Sequence, residues 1–384
     1  MSIYGRSNAD GNYNGMSIKS LVEISRHYGV DPDYVLAGGG NTSWKDEETL
    51  YVKASGFALA DVTADSFVKM DRAALARIWE KTYPEYDAER ESAVLADMMA
   101  AKKTGEEQKR PSVEALLHDI LPFAFVVHLH PALVNGLTCS QRGESAAKEI
   151  FGEDAIWIPS TNPGYILSKL VKITLAAHNK KHGKFAQLIF LQNHGVFAGA
   201  DSADEIKKLY DEIMAKLNAL ITQRPDFSDE ARGTDSFGEI IKTLEELSGG
   251  TAVYAQGSAI ASFVKSRESF APVSSAFTPD HIVYAGSSPL FTEAQNAEGI
   301  RKAWKSHVEK TGINPKIIAV QNTGVFGAAA AEKAANMALD LFRDTIKVAI
   351  YSESFGGPLF MTADKIDFIN NWEVERFRAS VSTK

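Results

Sequence analysis

The first sustained apolar period begins at Ser17, where Ile18, Leu21, Val22 and Ile24 share one face of a helix that should close near Gly29. The residues before it, 1–16, are rich in Asn, Gly and Ser and read as a flexible N-terminus. After the turn Gly38-Gly39-Gly40, the segment ending in Trp44-Lys45, the charged tip Asp46-Glu47-Glu48 and the alternating run Leu50–Ala54 predict strand, turn and strand. Helical spacing follows at 71–82, 88–103 and 112–121. The run Phe123–His130 is continuously strand-prone and stops at Pro131. Two more strands are expected at 155–159 and 188–192, with a helix over 165–180 between them and another over 202–221 after them.

The stretch 223–238 is rich in Asp, Ser, Arg, Gly and Pro and has no apolar period, so it reads as a linker between a domain at 17–222 and one at 239–384. The decapeptide Leu188–Phe197 is echoed by Ile317–Phe326: each is an apolar run closed by Gln-Asn-x-Gly-Val-Phe. A small-residue stretch and a helical pattern follow both copies, which points to duplication. Thr323 stands where the first copy has His194. His281 and His307 are the remaining histidines of the C-terminal half and form no His-x-His pair, so a second copy would be degenerate and without a metal of its own.

Composition narrows the function classes. With 384 residues and 45% hydrophobic content, the chain has material for a large core. A net charge of −8 without Lys/Arg runs gives no footprint for nucleic acid, and no apolar stretch is long enough for a membrane span. The polar first twenty residues lack the apolar segment of a secretion signal, and the expected location is the cytoplasm. Cys139 is the single cysteine and reads as a small buried residue.

The candidate chemistry lies in His128-Leu129-His130. Alternate residues of a strand face the same way, which places these two imidazoles on one side with Cα atoms roughly 6.5–7 Å apart. His194, at the end of the 188–192 strand and followed by Gly195, supplies a third nitrogen from another element, with the glycine permitting the turn that aims it. Three histidines with a vacant position suit a catalytic divalent ion, and zinc above all. Glu114, near the start of the helix over 112–121, is the accompanying acid. His118, one turn on, reads as structural, bonded to Glu114 or to backbone. Asn41-Thr42-Ser43 and Lys53-Ala54-Ser55-Gly56 offer backbone N–H groups, hydroxyls and a cation of the kind that binds phosphate, although neither forms a nucleotide-binding glycine loop.

GGGNTSWK at 38–45, VKASG at 52–56, PSVEALLH at 111–118, HLHP at 128–131, NPG at 162–164 and QNHGVF at 192–197, in this order, resemble the class II aldolase/adducin family. The segments LLHDILPFAFVVHLHP, FTPDHIVYAG at 277–286 and NNWEVERF at 370–377 look most like one branch of it. That branch is the aldolase portion of bifunctional rhamnulose-1-phosphate aldolase/lactaldehyde dehydrogenases, whose dehydrogenase domain has no counterpart in these 384 residues.

The resemblance implies an α/β fold, three layers α/β/α around a largely antiparallel central sheet, followed here by the smaller repeat domain. It implies zinc on His128, His130 and His194, Glu114 as acid/base, and a phosphate site drawing on Asn41, Ser55, Gly56 and Ser112. The implied reaction is cleavage of a ketose 1-phosphate to dihydroxyacetone phosphate and an aldehyde through a metal-stabilised enediolate. Implied partners are a small sugar phosphate and further copies of the chain in a homo-oligomer, with a separate dehydrogenase as an additional candidate. The same scaffold is similar to sugar-phosphate epimerases, dehydratases and decarboxylases, and adducins carry it without the chemistry. One departure is visible. Some relatives carry a proton-donating tyrosine just before Pro-Gly, whereas this chain has Ser160 there, leaving Tyr165 or a neighbouring subunit's residue as the alternative donor.

Overall fold

The structure, a computed structural model, describes residues 12–374. Residues 1–11, most of the segment expected to be flexible, lie outside the described residues, while 12–16 already belong to the first helix. Two compact units emerge, one of Met1–Pro131 with Ala147–Lys216 and one of Ala132–Ala146 with Leu217–Lys384.

The first unit contains α1 (Asn12–Gly29), β1 (Asn41–Lys45), β2 (Thr49–Lys53), β3 (Phe67–Asp71), α2 (Arg72–Ile78), α3 (Asp87–Ala100), α4 (Ala115–Ile120) and β4 (Phe125–Leu129). The next helix, α5 (Ala132–Thr138), belongs to the second unit, and α6 (Gly143–Phe151) runs across the division. Back in the first unit come β5 (Ala155–Ile158), α7 (Tyr165–His182), β6 (Leu188–Leu191), β7 (Gly195–Ala200) and α8 (Ala203–Asn218).

Its seven strands lie in the order β3-β2-β1-β4-β7-β6-β5, every neighbouring pair antiparallel except β5 with β6. β1 and β2 form the expected hairpin, pairing Ser43 with Val52 and Lys45 with Leu50. β3 was not expected: its pattern is short and mixed, and pairing with β2 is what makes it a strand. The helix after it starts at Arg72 because the Asp71 carboxylate accepts from Ala74 N–H, capping the first turn.

Apolar alternation along the strands sets the layers. Val126, Ile156, Ile189, Leu191 and Phe197 bury one side against Leu117 and Leu121 at α4 and Leu167, Val171 and Leu175 of α7. Leu50, Val52, Val68 and Met70 pack on α2, α3 and α4. α1 and α8 meet through Tyr28 and Tyr210, rings 5.0 Å apart, and the buried Tyr210 hydroxyl donates to the Val127 and Val196 carbonyls of the sheet.

The second unit adds β8 (Ala231–Gly233), α9 (Gly238–Ser248), β9 (Thr251–Gln256), α10 (Ser258–Phe263), α11 (Arg267–Phe270), β10 (Leu290–Thr292), α12 (Ala297–Thr311), β11 (Ile317–Val320), β12 (Gly324–Ala329), α13 (Glu332–Ser352) and α14 (Ala363–Asn371). β8 falls inside the polar stretch 223–238. The sheet order is β10-β11-β12-β9-β8, with β10 parallel to β11 and the other pairs antiparallel. Taken in chain order, β8 to β12 repeat the neighbours and directions of β1, β4, β5, β6 and β7. The correspondence reaches single hydrogen bonds: Gln192 N–H to the Ile158 carbonyl matches Gln321 N–H to the Thr292 carbonyl, both 2.9 Å. Among the described residues β2 and β3 have no counterpart, so the repeat is the smaller one.

Within this unit α5 packs on α13 so closely that a Cβ at Gly136 would lie 2.4 Å from the Cβ of Tyr351. Cys139 is fully buried, its thiol 3.6 Å from the Phe277 carbonyl.

Candidate metal centre

β4 and the β6–β7 turn bring three imidazoles together in the first unit. His128 is fully buried in β4, and its ring lies flat on Phe197, centroids 3.9 Å apart and planes 9° from parallel. Phe197 occupies that place because β7 pairs it with His128 across the sheet. Nδ1 of His128 is 3.0 Å from the Val196 carbonyl; donating there leaves Nε2 as the ligand nitrogen. Nε2 of His130 lies 2.9 Å and Nε2 of His194 3.4 Å from it.

His130 sits one residue beyond β4, so strand alternation alone does not place it. The role foreseen for Gly195 also changes. The left-handed residue of the turn is Asn193, with φ 59°, whereas Gly195 provides space: a Cβ there would come within 2.7 Å of His130 Cδ2 and 2.5 Å of the Leu129 carbonyl oxygen.

Glu114 immediately precedes α4, shorter than the helix expected over 112–121, with φ −88° and ψ 8°. Among the described residues its Oε1 is buried without a hydrogen-bond donor, 3.4 Å from His128 Nε2 and 3.8 Å from His194 Nε2. Oε2 accepts from the Asn41 side-chain amide at 2.5 Å. Four donor atoms thus converge on one point.

Ligand bonds of about 2.0–2.1 Å to a tetrahedral ion put neighbouring donors about 3.3–3.4 Å apart. Two of the separations match this, and the orphaned Oε1 is an acceptor that a cation would satisfy. The residues fit a divalent ion, and His128, His130 and His194 form the one three-residue group of possible ligands found among the described residues.

The other expected residues divide into two groups. Asn41 touches Glu114, as just described. Lys53, Ser55, Gly56 and Ser112 lie together where the end of β2 meets the 110–112 turn. There Ser55 N–H donates to the Arg110 carbonyl, Ser112 N–H to the Lys53 carbonyl and Glu114 N–H to Ser112 Oγ. Gly56 is exposed with φ 94°.

Thr42 and Ser43 do not join them. Both are fully buried, Thr42 bonded to Ser25 Oγ and Ser43 to Nδ1 of His118 at 2.7 Å. His118 therefore bonds neither Glu114 nor backbone through that nitrogen. Burial, with the nearby positive charge of His128, Lys45 and Lys53, holds its pKa well below the usual histidine value, so the ring is neutral.

Tyr165, the alternative proton donor, is buried in the apolar cluster around α3, stacked on Trp79 at 5.5 Å and edge-on to Tyr83 at 5.1 Å. Burial raises its pKa. Its ring belongs to the core. Sequence reasoning missed Phe197 as the plate under His128, although both copies of the repeated decapeptide end in Phe.

Residues 19–215, just over half of the chain, match the model of the Class II Aldolase and Adducin N-terminal domain. An uncharacterized oxidoreductase of Bacillus subtilis (strain 168), YuxG, is 30% identical over 198 residues, 49% of this chain and 27% of that protein. The chain thus spans about a quarter of that relative's length.

Among solved structures, the N-terminal class II aldolase domain of a conserved Thermoplasma acidophilum protein is 25% identical, with a TM-score of 0.45 over 58% of this chain and 99% of that one. An L-fuculose-1-phosphate aldolase from Thermus thermophilus is 13% identical, with a TM-score of 0.34 over 55% and 97%. The match over residues 19–215 identifies this chain as a member of the class II aldolase and adducin N-terminal domain family. In it, a further α/β unit accompanies the family domain.

Proposed function

We propose that the first unit is a metal-dependent lyase that cleaves a ketose 1-phosphate to dihydroxyacetone phosphate and an aldehyde, with zinc as the preferred ion. The observation that carries this reading is the convergence of three imidazole nitrogens and the donor-less Glu114 Oε1. His128, His130 and His194 would hold the ion, and the Val196 carbonyl and Phe197 ring keep His128 in register. When bound, a divalent ion supplies Lewis-acid stabilisation of the negative charge that develops on the substrate as the C3–C4 bond breaks.

Glu114, its carboxylate aimed by the Asn41 amide, takes up the proton that the C4 hydroxyl loses as the aldehyde forms and returns it to C3 of the three-carbon fragment. Ser55, Gly56 and Ser112, with Lys53 behind them, receive the phosphate, where the exposed Gly56 backbone and the two serine hydroxyls favour an anion. The family domain and the oxidoreductase name of the Bacillus relative together support a dehydrogenase acting on the released aldehyde, and sedimentation with and without such a partner measures both that contact and self-association.

The test is incubation with a panel of ketose 1-phosphates, assaying dihydroxyacetone phosphate, alongside metal analysis of protein purified without chelator. Release from at least one substrate, abolished by EDTA, is expected. Epimerised, dehydrated or decarboxylated product in its place would move the chain to another reaction of the same scaffold, and absence of both metal and turnover would leave an adducin-like binding role. Glu114→Gln should lower turnover by about 100-fold or more with metal content retained; unchanged turnover would remove Glu114 from the chemistry.

A further inference from the structure

The repeat allows the position equivalent to the candidate metal centre to be found in the second unit, residue by residue. β7 pairs His128 with Phe197 and Leu129 with Val196; β12 pairs Tyr254 with Phe326 and Ala255 with Val325. Phe197 and Phe326 close the two decapeptides, so Tyr254 stands for His128, Gln256 for His130 and Thr323 for His194. Phe237, immediately before α9, stands for Glu114 before α4. Its ring meets Tyr254 at 5.1 Å and Phe326 at 5.7 Å, an apolar cluster in place of the carboxylate–imidazole couple. No set of groups able to hold a metal ion occurs there among the described residues.

A cleft nevertheless lies at this position. It encloses about 450 Å³, and its lining includes Asp229, Gln256, Ser258, Lys265, Asn322 and Thr323, with Ile260 and Val264 as apolar wall. That volume falls within the roughly 300–1,000 Å³ of ordinary small-molecule sites. Its frame is tied internally. The Asp229 carboxylate accepts from Ser258 N–H and hydroxyl, Thr323 Oγ1 donates to the Gln321 carbonyl, and Gln321 Nε2 donates to the Lys265 carbonyl.

Three side chains are left over. The amides of Gln256 and Asn322 and the Lys265 ammonium have no hydrogen-bond or ion-pair partner among the described residues. Asn322 is held in the left-handed region, φ 53°, as Asn193 is in the first unit.

We infer that the second unit retains a metal-independent binding site in this cleft for a small polyhydroxylated molecule carrying one anionic group. Two amides donate to and accept from hydroxyls, and one ammonium pairs with the anion, while the Asp229 carboxylate, still charged, is turned to the Ser258 N–H and hydroxyl. A phosphate or a carboxylate satisfies the same ammonium. The site does not depend on a metal ion, because no group of metal ligands lies beside it among the described residues. The inference is independent of the reaction assigned to the first unit.

Calorimetric titration of the full chain in EDTA, with fructose 1-phosphate, gluconate, fructose and inorganic phosphate as probes, tests it. Fructose 1-phosphate or gluconate should bind saturably at one site per chain, and whichever of them binds identifies the anionic group. Lys265→Ala should weaken that binding by about tenfold or more, the usual weight of a charge-assisted hydrogen bond. Ala261→Phe, which fills the cleft, should abolish it, and Gln256→Leu gives a second, isosteric variant. Melting midpoints equal to that of the parent certify that each variant is folded.

No binding of either anionic polyol, neutral fructose or inorganic phosphate binding as tightly, or affinity unmoved in the folded variants would overturn the inference. Because Glu114→Gln and EDTA act on the first unit, failure of the lyase reading leaves this result intact.

Discussion

Replacing Gly195 with alanine should separate the packing of the metal centre from its chemistry. The added Cβ would sit 2.5 Å from the Leu129 carbonyl oxygen and 2.7 Å from His130 Cδ2, roughly 0.9 Å and 0.7 Å short of the 3.4 Å at which ordinary contact begins. The carbonyl is part of β4, directly between His128 and His130, the two histidines proposed as ligands, so relief must come from moving the strand or the His130 ring. Overpacking of this kind costs about 1–3 kcal/mol of stability. A metal site tolerates displacements of only about 0.5 Å, and comparable disturbances around ligands lower affinity by about 10–100-fold.

Competition against a chromophoric chelator measures the affinity, and chemical denaturation the stability. Gly324→Ala is the matched control. There the Cβ would lie 2.8 Å from the Ala255 carbonyl oxygen, with Gln256 Cβ next at 3.5 Å and no imidazole near it, so stability should fall while metal affinity holds. Equal losses of metal affinity in both variants, or none in Gly195→Ala, would refute the reasoning that this glycine exists to seat His130.

Phe197→Leu keeps an apolar side chain but removes the plate beneath His128, and metal affinity should drop by about tenfold, within the range for groups that orient ligands; affinity equal to the parent's would exclude an orienting role for the ring. Lys45 is buried with its ammonium 2.7 Å from the His118 carbonyl, and burial pushes its pKa down to about 7, with Asp119 opposing the shift and Arg72 adding to it. Between about pH 7 and 10.5 the unfolded chain binds this proton and the folded chain does not, so stability should rise with pH across that window, by an amount on the order of a few kcal/mol. Denaturation at pH 7 and pH 10 should show this rise in the parent and a smaller one in Lys45→Met, whereas identical pH dependence in both would remove Lys45 as its source.

Elements whose signal is local were legible in the sequence. The β1–β2 hairpin follows from alternation around a charged tip, α7 from the helical period over 165–180, which the structure carries on to His182, and the proximity of the candidate metal-site residues from His-x-His, Glu114 and a histidine at a strand end. The repeated decapeptide announced the duplication because a strand, a left-handed Asn and a glycine recur at fixed spacing, and such a turn constrains residue types within a few positions of itself.

Tertiary structure decided the rest. Spacing could not show that Thr42 and Ser43 face Ser25 and His118, that Tyr165 belongs to the core beside Trp79, or that residues 132–146 join the second unit. It also could not tell that β7 lays Phe197 against His128, nor that a cleft lies where Gln256 and Thr323 stand in place of two histidines. Each of these depends on which strands become neighbours and in what register, a choice settled by burial across the whole unit. A shift of one residue would turn every side chain to the opposite face, and local sequence carries no record of the partner that prevents it.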